Sequence, residues 1–168
     1  MKKAKVAING FGRIGRAFFK LAITRPELEV VAINDLGDLD NLAYLLQYDS
    51  AYGRYDGEIK IEEEGGKRYL VVSPSSREAS KGAQKNRVVF LSEKDPSMLP
   101  WGALGIDIVV EATGVFDSYE KSEIHKKAGA KRVVITAPAK DDDSDDGKTV
   151  LMGINEEDLK TCTISSNG

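Results

Sequence analysis

The fold is decided by Lys5-Val-Ala-Ile-Asn-Gly-Phe-Gly-Arg-Ile-Gly-Arg16. Its short apolar run, Val6-Ala-Ile8, is typical of a strand that is buried on both faces. After the glycines, apolar residues recur at helical spacing, which predicts an amphipathic helix. These residues are Ile14, Ala17, Phe18, Leu21 and Ala22. The stretch therefore predicts a strand, a tight turn and the start of a helix.

Each of the three glycines in this turn has its own expected role. Gly10 would allow the turn, Gly12 would let a pyrophosphate approach the backbone, and Gly15 would let the helix pack closely on the strand. The phosphates would lie at the helix N-terminus, where free N–H groups and the positive end of the helix dipole meet. Glycine-rich turns are common, so this pattern alone is a weak indicator of binding.

An aspartate at the end of a second predicted strand strengthens the indication. The strand is Glu29-Val-Val-Ala-Ile-Asn34, and Asp35 follows it, twenty residues beyond Gly15. An ionised Asp35 would accept both ribose hydroxyls of an adenosine, whereas a 2′-phosphate there would meet a like charge that costs about 1–4 kcal/mol. The pattern predicts NAD rather than NADP as the cofactor. The alternative is that Asp35 merely ends a strand.

Composition limits the classes of function. A chain of 168 residues, 41% of them hydrophobic, predicts one domain over 1–168 with a sizeable core. The net charge of −3 and the scattered basic residues argue against nucleic acid as a partner. No apolar run approaches the length of about 18 residues that a membrane span needs, and the start does not resemble a signal peptide. We therefore expect a cytoplasmic protein with no membrane partner.

The rest of the chain alternates predicted strands and helices. Helices are expected over 40–47 and 118–127, and buried strands over 106–114 and 132–138. Between them, 57–91 has alternating apolar and polar residues, which predicts antiparallel strands. The predicted fold is α/β, a doubly wound, mostly parallel Rossmann sheet with an inserted antiparallel segment. Ligands bind such a sheet at the carboxyl ends of its strands.

Two polar segments are expected to lie outside the chemistry. The composition of 73–87 predicts an exposed loop and also allows it to be disordered. The acidic run 141–147 is crowded with carboxylates, but it lacks the calcium-loop pattern, since the twelfth position from Asp141 is Met152 rather than Glu. A solvated acidic loop and no metal site are expected. Short strands are predicted over 149–152 and 162–165.

Three residues occur only once in this sequence or draw attention by their chemistry. Trp101 is expected to pack against the sheet, which is the default for a lone tryptophan. Cys162, the only cysteine, excludes an internal disulfide and a cysteine-rich metal site, and is expected to be a small buried thiol in a strand. His125, the only histidine, is expected to be solvated on a polar helix face.

Several motifs together resemble one family, phosphorylating glyceraldehyde-3-phosphate dehydrogenase. In order along the chain they are Asn9-Gly-Phe-Gly-Arg-Ile-Gly-Arg16, Ile33-Asn-Asp35, Gln47-Tyr-Asp-Ser50, Glu111-Ala-Thr-Gly-Val-Phe116, Ala128 to Ala139, Met152-Gly-Ile-Asn155 and Ile164-Ser-Ser-Asn167. The resemblance implies the NAD-binding half of a glycolytic enzyme. That enzyme oxidises an aldehyde through a cysteine thiohemiacetal, passes hydride to nicotinamide and releases the acyl group to inorganic phosphate.

The resemblance also implies a set of cofactor-binding residues. Position by position, they are Asn9, Gly10, Gly12, Arg13, Ile14, Asp35, Lys94, Thr113, Gly114, Phe116 and Thr136. Lys94 stands where the family more often has arginine in a motif whose backbone faces the adenine. The exchange preserves a backbone contact but removes any guanidinium stacking.

The catalytic cysteine of the family would follow Gly168 by two residues, so the resemblance implies no catalytic residue in this sequence. We expect the chain to bind NAD without turnover, because the aldehyde and phosphate sites would need a second domain. The family is usually a homotetramer built largely through that domain, so this chain is expected to be monomeric. Two alternatives are an erythrose-4-phosphate dehydrogenase domain and a non-catalytic nucleotide-binding module.

Overall fold

The computed structural model describes residues 2–74 and 85–167. In that part, the strands are β1 (Ala4–Asn9), β2 (Leu28–Asn34), β3 (Tyr48–Asp49), β4 (Gly53–Arg54), β5 (Glu58–Glu64), β6 (Lys67–Ser73), β7 (Asn86–Leu91), β8 (Ile108–Glu111), β9 (Arg132–Ile135), β10 (Gly147–Thr149) and β11 (Ile164–Ser166). The α-helices are α1 (Arg13–Ala22), α2 (Leu39–Gln47), α3 (Trp101–Leu104) and α4 (Tyr119–Lys127), with 3₁₀ turns at Pro96–Met98 and Glu156–Lys160.

Nine strands form one sheet in the order β10-β11-β9-β8-β1-β2-β7-β6-β5. Neighbours from β10 to β7 are parallel, whereas β7, β6 and β5 pair antiparallel. β3 and β4 form a separate antiparallel pair. The doubly wound, mostly parallel sheet with an antiparallel insert is therefore confirmed.

The chain reverses its direction of winding beside β1. From β1 it proceeds to β2 and on to the antiparallel side, and after β7 it crosses back to β8, which pairs with the other edge of β1. Helix α1, which follows β1, and helix α4, which follows β8, therefore pack on opposite faces of the sheet. In open α/β sheets this reversal is where ligands bind.

The core lies on both faces of the sheet, which explains why β1 is apolar without alternation. Ile8 belongs to the cluster on one face, with Phe11, Phe19, Leu39, Leu46 and Leu70. Ala7 belongs to the cluster on the other face, with Trp101, Ile106, Val109, Tyr119 and Ile164. Trp101 is fully buried in this second cluster, so its predicted packing against the sheet is confirmed.

Helix α1 buries a different face from the one that its apolar spacing indicates. Phe19 is buried together with Gly15, while Ile14 and Leu21 are 55% and 65% exposed. Gly15 packs against the preceding turn, since a Cβ at this position would lie 2.0 Å from the carbonyl oxygen of Gly10. That close approach sets the rotation of the helix, so the position of Gly15 decides which face is buried.

The predicted strands near the C-terminal side are each displaced by about two residues. The segments expected at 149–152 and 162–165 correspond to β10 and β11, which pair in parallel from Gly147 and Ile164. A Cβ on Gly147 would lie 2.4 Å from the ring of Tyr119, so close packing requires glycine in a strand that propensity disfavours. Cys162 is buried as expected, but it precedes β11.

Most of the loop expected over 73–87 lies outside the described residues. Its first residue, Ser73, ends β6, and its last, Arg87, lies within β7. Residues 75–84 are not described, and the exposed-loop prediction there stays a prediction.

The acidic run contributes to the structure more than a purely solvated loop would. Asp141 accepts hydrogen bonds from the backbone N–H groups of Tyr119 and Glu120, at the start of α4. Asp146 accepts from Lys126 and from the hydroxyl and backbone N–H of Thr163. These bonds tie the acidic run to α4 and to the segment that precedes β11.

Within residues 2–74 and 85–167 there is neither a helix that could span a membrane nor a cluster of metal-ligating side chains. None of the helices in 2–74 and 85–167 has the length and apolarity that crossing a membrane requires. In the same ranges, no three His, Cys, Asp or Glu side chains are grouped so that they could hold a metal ion.

Candidate nucleotide-binding site

A cleft of about 430 Å³ opens at the carboxyl edge of the sheet, beside the reversal of winding. We call it the main cleft, and it is lined by Asn9, Gly10, Gly12, Asn34, Asp35, Leu36, Glu93, Lys94, Pro96, Ala112, Thr113, Val115 and Phe116. A smaller cavity of about 180 Å³, the side cleft, shares three of these residues. It is lined by Ile14, Glu111, Ala112, Thr113, Gly114, Phe116, Asp117, Ile135, Thr136 and Ala137.

These two clefts bring together ten of the eleven residues that the sequence singled out. Seven of them line the main cleft, namely Asn9, Gly10, Gly12, Asp35, Lys94, Thr113 and Phe116, and the last two also line the side cleft. The side cleft adds Ile14, Gly114 and Thr136. Arg13, the first residue of α1, is outside both sets of lining residues.

Gly10 is required by a close approach between two loops. Its φ is +95°, in the left-handed region that favours glycine. A Cβ at this position would lie 2.6 Å from the backbone nitrogen of Thr113 and 2.7 Å from the carbonyl carbon of Ala112. The loop after β1 can therefore meet the loop after β8 only if this residue has no side chain.

Gly12 is surrounded by open space instead. A Cβ there would have no atom of the described chain within 4 Å, apart from its own sequence neighbours. Gly12 is the N-cap of α1, and the first turn contains no acidic residue that would compete for its N–H groups. The helix N-terminus and its positive dipole end thus adjoin space that an anion could occupy.

Asp35 is held rigidly at the edge of the main cleft. Its Oδ2 accepts from the backbone N–H of Phe11 at 2.6 Å, and its Oδ1 accepts from that of Gly37 at 2.7 Å. Each carboxylate oxygen has a second lone pair. The side chain can therefore keep both bonds and still accept two further hydrogen bonds from a ligand.

Arg16 completes a clamp on the glycine turn that sequence reasoning missed. Its Nη1 donates to the carbonyl oxygen of Phe11 at 2.9 Å, so the backbone of Phe11 is held from both sides by Arg16 and Asp35. Burial lowers the pKa of the Arg16 guanidinium, against the opposing charges of Asp49 and Asp35. Although Arg16 belongs to the glycine motif, its side chain is only 8% exposed and lines neither cleft.

Asn34 connects two parts of the main cleft, Asn9 at the end of β1 and the segment that contains Glu93. Its Nδ2 donates to Asn9 Oδ1 at 2.8 Å and to the carbonyl oxygen of Glu93 at 3.0 Å, and its Oδ1 accepts from the N–H of Glu93 at 2.8 Å. This pairing sets the course of the segment that contains Lys94. The sequence signal was a polar residue at the end of β2, which motif reasoning assigned no role.

Glu111, the last residue of β8, lines the side cleft and makes four hydrogen bonds, a role that sequence reasoning missed. Oε2 accepts from Asn9 Nδ2 at 2.6 Å and pairs with His125 Nε2 at 2.9 Å. Oε1 accepts from the backbone N–H of Thr113 at 2.7 Å and from the hydroxyl of the same residue. The carboxylate is 2% exposed, so these contacts replace its hydration.

The expectation that His125 is solvated is wrong. The imidazole is fully buried between Glu111 and the indole of Trp101, whose Nε1 lies 3.1 Å from His125 Nδ1. Helix α4 is polar overall, but it turns Tyr119, Ser122 and His125 toward the sheet. A buried imidazole is tolerated because partners satisfy both ring nitrogens.

On the side-cleft wall, Thr136 is fixed by its backbone N–H and its hydroxyl, which both donate to the carbonyl oxygen of Glu111 at 3.0 Å.

Cys162 is outside both sets of lining residues and is 1% exposed. Burial raises the pKa of its thiol, which disfavours the reactive thiolate.

Comparisons with known proteins agree on one family. The family model described as glyceraldehyde 3-phosphate dehydrogenase, NAD binding domain, matches residues 4–119. The chain is 48% identical over 156 residues to the glyceraldehyde-3-phosphate dehydrogenase of Clostridium acetobutylicum, covering 93% of this chain and 41% of that protein. It is 46% identical over 159 residues to that of Thermotoga maritima, covering 94% and 42%.

A cytosolic glyceraldehyde-3-phosphate dehydrogenase of Leishmania mexicana is 43% identical over 163 residues, covering 97% of this chain and 44% of that protein. The chain thus spans between 41% and 44% of the length of these relatives. The matches include the glycine turn, Asp35 and the loop after β8.

Proposed function

This chain belongs to the family of glyceraldehyde 3-phosphate dehydrogenase NAD-binding domains, and from that premise we propose that it binds NAD in the main and side clefts. The single observation that carries the proposal is the open space at Gly12, beside the N-terminus of α1. A diphosphate can approach the backbone there, where a larger residue would block it.

The residues around the clefts fit the parts of a dinucleotide. Gly12, Arg13 and Ile14 would hold the diphosphate at the start of α1, and Asp35 would accept from the adenosine ribose. Lys94 would line the adenine side. The nicotinamide side would be lined by Thr113, Gly114, Phe116 and Thr136, with Asn9 and Gly10 supporting the turn.

When bound, NAD supplies the acceptor for a hydride. This chain contributes binding and orientation, because it shapes the clefts and fixes their polar groups. The proposed whole enzyme oxidises glyceraldehyde 3-phosphate and transfers the acyl group to inorganic phosphate. Its nucleophile and general base would come from a second domain, since Cys162 and His125, the only cysteine and histidine here, are buried in other roles.

The wider proposal follows the family. The 168 residues form one cofactor domain and do not turn over by themselves. The whole enzyme is a homotetramer in the cytosol, and the cytosolic Leishmania mexicana relative supports that compartment. Its partners are NAD and, with the second domain, the aldehyde and phosphate. Neither nucleic acid nor a membrane is a proposed partner.

Isothermal titration calorimetry of the 168-residue chain with NAD and with NADP tests the binding proposal. We expect saturable binding of NAD and weaker binding of NADP, because Asp35 repels a 2′-phosphate. Binding of neither dinucleotide would refute the cofactor role and favour a non-catalytic module. Formation of NADH from glyceraldehyde 3-phosphate and phosphate by this chain alone would refute the proposed absence of turnover.

A further inference from the structure

A buried hydrogen-bonded network lies directly beneath the main cleft. It consists of Asn9, Trp101, Glu111, Thr113 and His125, and we call it the Glu111 network. Four of its side chains are at most 2% exposed. Asn9 and Thr113 also line the main cleft, and Glu111 and Thr113 line the side cleft. The residues come from β1, α3, β8, the loop after β8, and α4, so the network joins five parts of the fold.

The donors fix the protonation pattern of His125. The indole Nε1 of Trp101 can only donate, so His125 Nδ1, 3.1 Å away, must accept and carries no proton. The proton of the neutral ring is then on Nε2, which donates to Glu111 Oε2 at 2.9 Å. The tautomer follows from the chemistry of a single buried tryptophan.

The donors also saturate Glu111. Its Oε2 accepts from Asn9 and His125, and its Oε1 accepts from the backbone N–H and the hydroxyl of Thr113. A carboxylate has about four lone-pair positions, and four donors occupy them here. In all four hydrogen bonds Glu111 is the acceptor. A donor group in place of its carboxylate oxygens could form none of these bonds.

The network extends into the loop that lines both clefts. Thr113 Oγ1 donates to Glu111 and accepts from the backbone N–H of Val115 at 3.0 Å. The ring of Phe116 meets the imidazole of His125 edge to face, with 5.8 Å between the ring centroids. Thr113, Val115 and Phe116 all line the main cleft. The carboxylate thus determines the course of this loop from below.

We propose that Glu111 is a positioning residue that presets the loop of residues 113–116 for NAD, with its own orientation fixed by His125 and Trp101. This inference rests on the proposed NAD binding and adds to it the buried side chains Glu111, His125 and Trp101, which act by fixing the loop. A preset loop needs no ordering when the ligand arrives, which raises affinity.

The variant Glu111→Gln keeps the size of the side chain but removes its charge and one of its two acceptor oxygens. A glutamine amide keeps one acceptor oxygen but replaces the other by a donor. That donor would face either the two donors of Thr113, or Asn9 and His125. His125 cannot adapt by moving its proton to Nδ1, because Nδ1 faces the N–H of Trp101. At least one buried donor stays unsatisfied in either orientation.

The wild-type chain gives the first readout, because its one histidine and one tryptophan give unambiguous NMR signals. Nitrogen-15 NMR should show a neutral imidazole protonated at Nε2 and unprotonated at Nδ1. Titration with NAD should shift both side-chain signals through the network. An imidazole protonated at Nδ1 would overturn the inference, and so would signals of both residues that NAD leaves unmoved.

The second readout compares Glu111→Gln with Glu123→Gln, the same chemical change on an exposed side chain of α4 that pairs with Lys127. We expect Glu111→Gln to lose hydrogen-exchange protection of the Thr113 amide without ligand, and to bind NAD about tenfold more weakly. Glu123→Gln should match the wild type in both. Unchanged protection or unchanged affinity in Glu111→Gln would overturn the inference while leaving the proposed function intact.

If Glu111→Gln does not fold, the pair Thr113→Val and Thr113→Ser replaces it. Valine removes the hydroxyl that bonds Glu111 and Val115, whereas serine retains it. We expect the His125 signal and the protection of the Val115 amide to change with valine and to recover with serine, in the absence of NAD. Equal spectra for the two variants would overturn the inference. Failure of the wild type to bind NAD would instead refute the proposed function, and the inference with it.

Discussion

At the residue scale, Gly10 and Gly12 lie two positions apart and are glycine for opposite reasons. A Cβ on Gly10 would lie 2.6 Å from the backbone of the loop after β8, whereas a Cβ on Gly12 would enter open space. The first glycine serves the fold, and the second leaves room for a ligand. The sequence motif indicates that both positions are glycine, but it does not show that a side chain would disturb the fold at Gly10 and not at Gly12.

The variants Gly10→Ala and Gly12→Ala should therefore separate stability from binding. Gly10→Ala should lower the free energy of unfolding by at least about 1–3 kcal/mol, because of its positive φ and the contact with Thr113. Gly12→Ala should change it by less than about 1 kcal/mol. It should nevertheless weaken NAD binding about tenfold or more, since the methyl group enters the space that the diphosphate needs.

Urea unfolding and calorimetric titration of both variants measure the two effects. Gly53→Ala offers a control, since Gly53 has a positive φ with open space around it and lies far along the chain in β4. Its backbone strain should lower stability without a selective effect on binding. Full NAD affinity in Gly12→Ala would contradict the proposed diphosphate position.

The charge of Asp35 should decide between the two dinucleotides. Replacing Asp35 by asparagine removes that charge and keeps the size of the side chain, so the preference for NAD over NADP should fall by about tenfold or more. Stability should also fall, because the new amide group faces the N–H of Phe11 or Gly37. The ratio of the two affinities is the decisive measurement, since a change in stability affects both equally. An unchanged ratio would contradict the role of Asp35.

At the element scale, helix α4 shows where prediction from the sequence stops. Its limits are predicted well, and Ser118 accepts from the backbone N–H of Lys121 as its N-cap. The burial of His125 is not, because a mean property of a polar helix cannot reveal that Trp101 and Glu111 provide matching partners. Those partners come from sequence-distant elements, and only the packed sheet brings them together.

Acid should weaken the attachment of the acidic run to α4. Burial raises the pKa of Asp146, but the hydrogen bonds from Lys126 and Thr163 outweigh it, and the net pKa lies below the ordinary 3.8. Because the folded pKa is depressed, the stabilisation is complete above the ordinary pKa and is lost as pH falls through the folded value. The pKa values of Asp107, Asp117 and Asp143 are shifted in the same direction.

The variant Asp146→Asn tests this dependence. At pH 7 it should lower the free energy of unfolding by about 1 kcal/mol, a modest loss because the side chain is partly exposed. The difference from the wild type should shrink as the pH falls from about 3.8 through the lower folded pKa of Asp146, since the native carboxylate loses its charge over that range. Urea titrations at several pH values measure it. Asp142→Asn on the exposed part of the run is the control, and a gap that stays constant with pH would contradict the assignment.

At the scale of the whole molecule, the fold class and the binding edge could be predicted from the sequence. Predicted strands and helices alternate clearly enough to predict a parallel sheet. The rotation of α1 and the register of β10 with β11 could not, because contacts of Gly15 and Gly147 set them. The hydrogen-bond partners of Asn34 and Glu111, which end β2 and β8, could not be predicted either, because they depend on which strands become neighbours in the sheet.

The reactivity of Cys162 should report global unfolding. Its thiol is 1% exposed and burial raises its pKa, so a disulfide reagent should label the native chain far more slowly than the unfolded chain. The labelling rate should rise with urea in parallel with loss of Trp101 burial measured by fluorescence. Rapid labelling without denaturant would contradict the buried position and would reopen a catalytic role.

The contact of Gly10 with Ala112 and Thr113 has a consequence for the time course of folding. The loop that completes the turn of the glycine motif is synthesised about a hundred residues after the motif itself, and β1 pairs with β8 across the same separation. Closing so long a stretch of chain is slow compared with local pairing. The glycine turn is therefore synthesised well before the loop that completes the nucleotide site. A nascent chain that carries the whole motif cannot bind its ligand until β8 has docked.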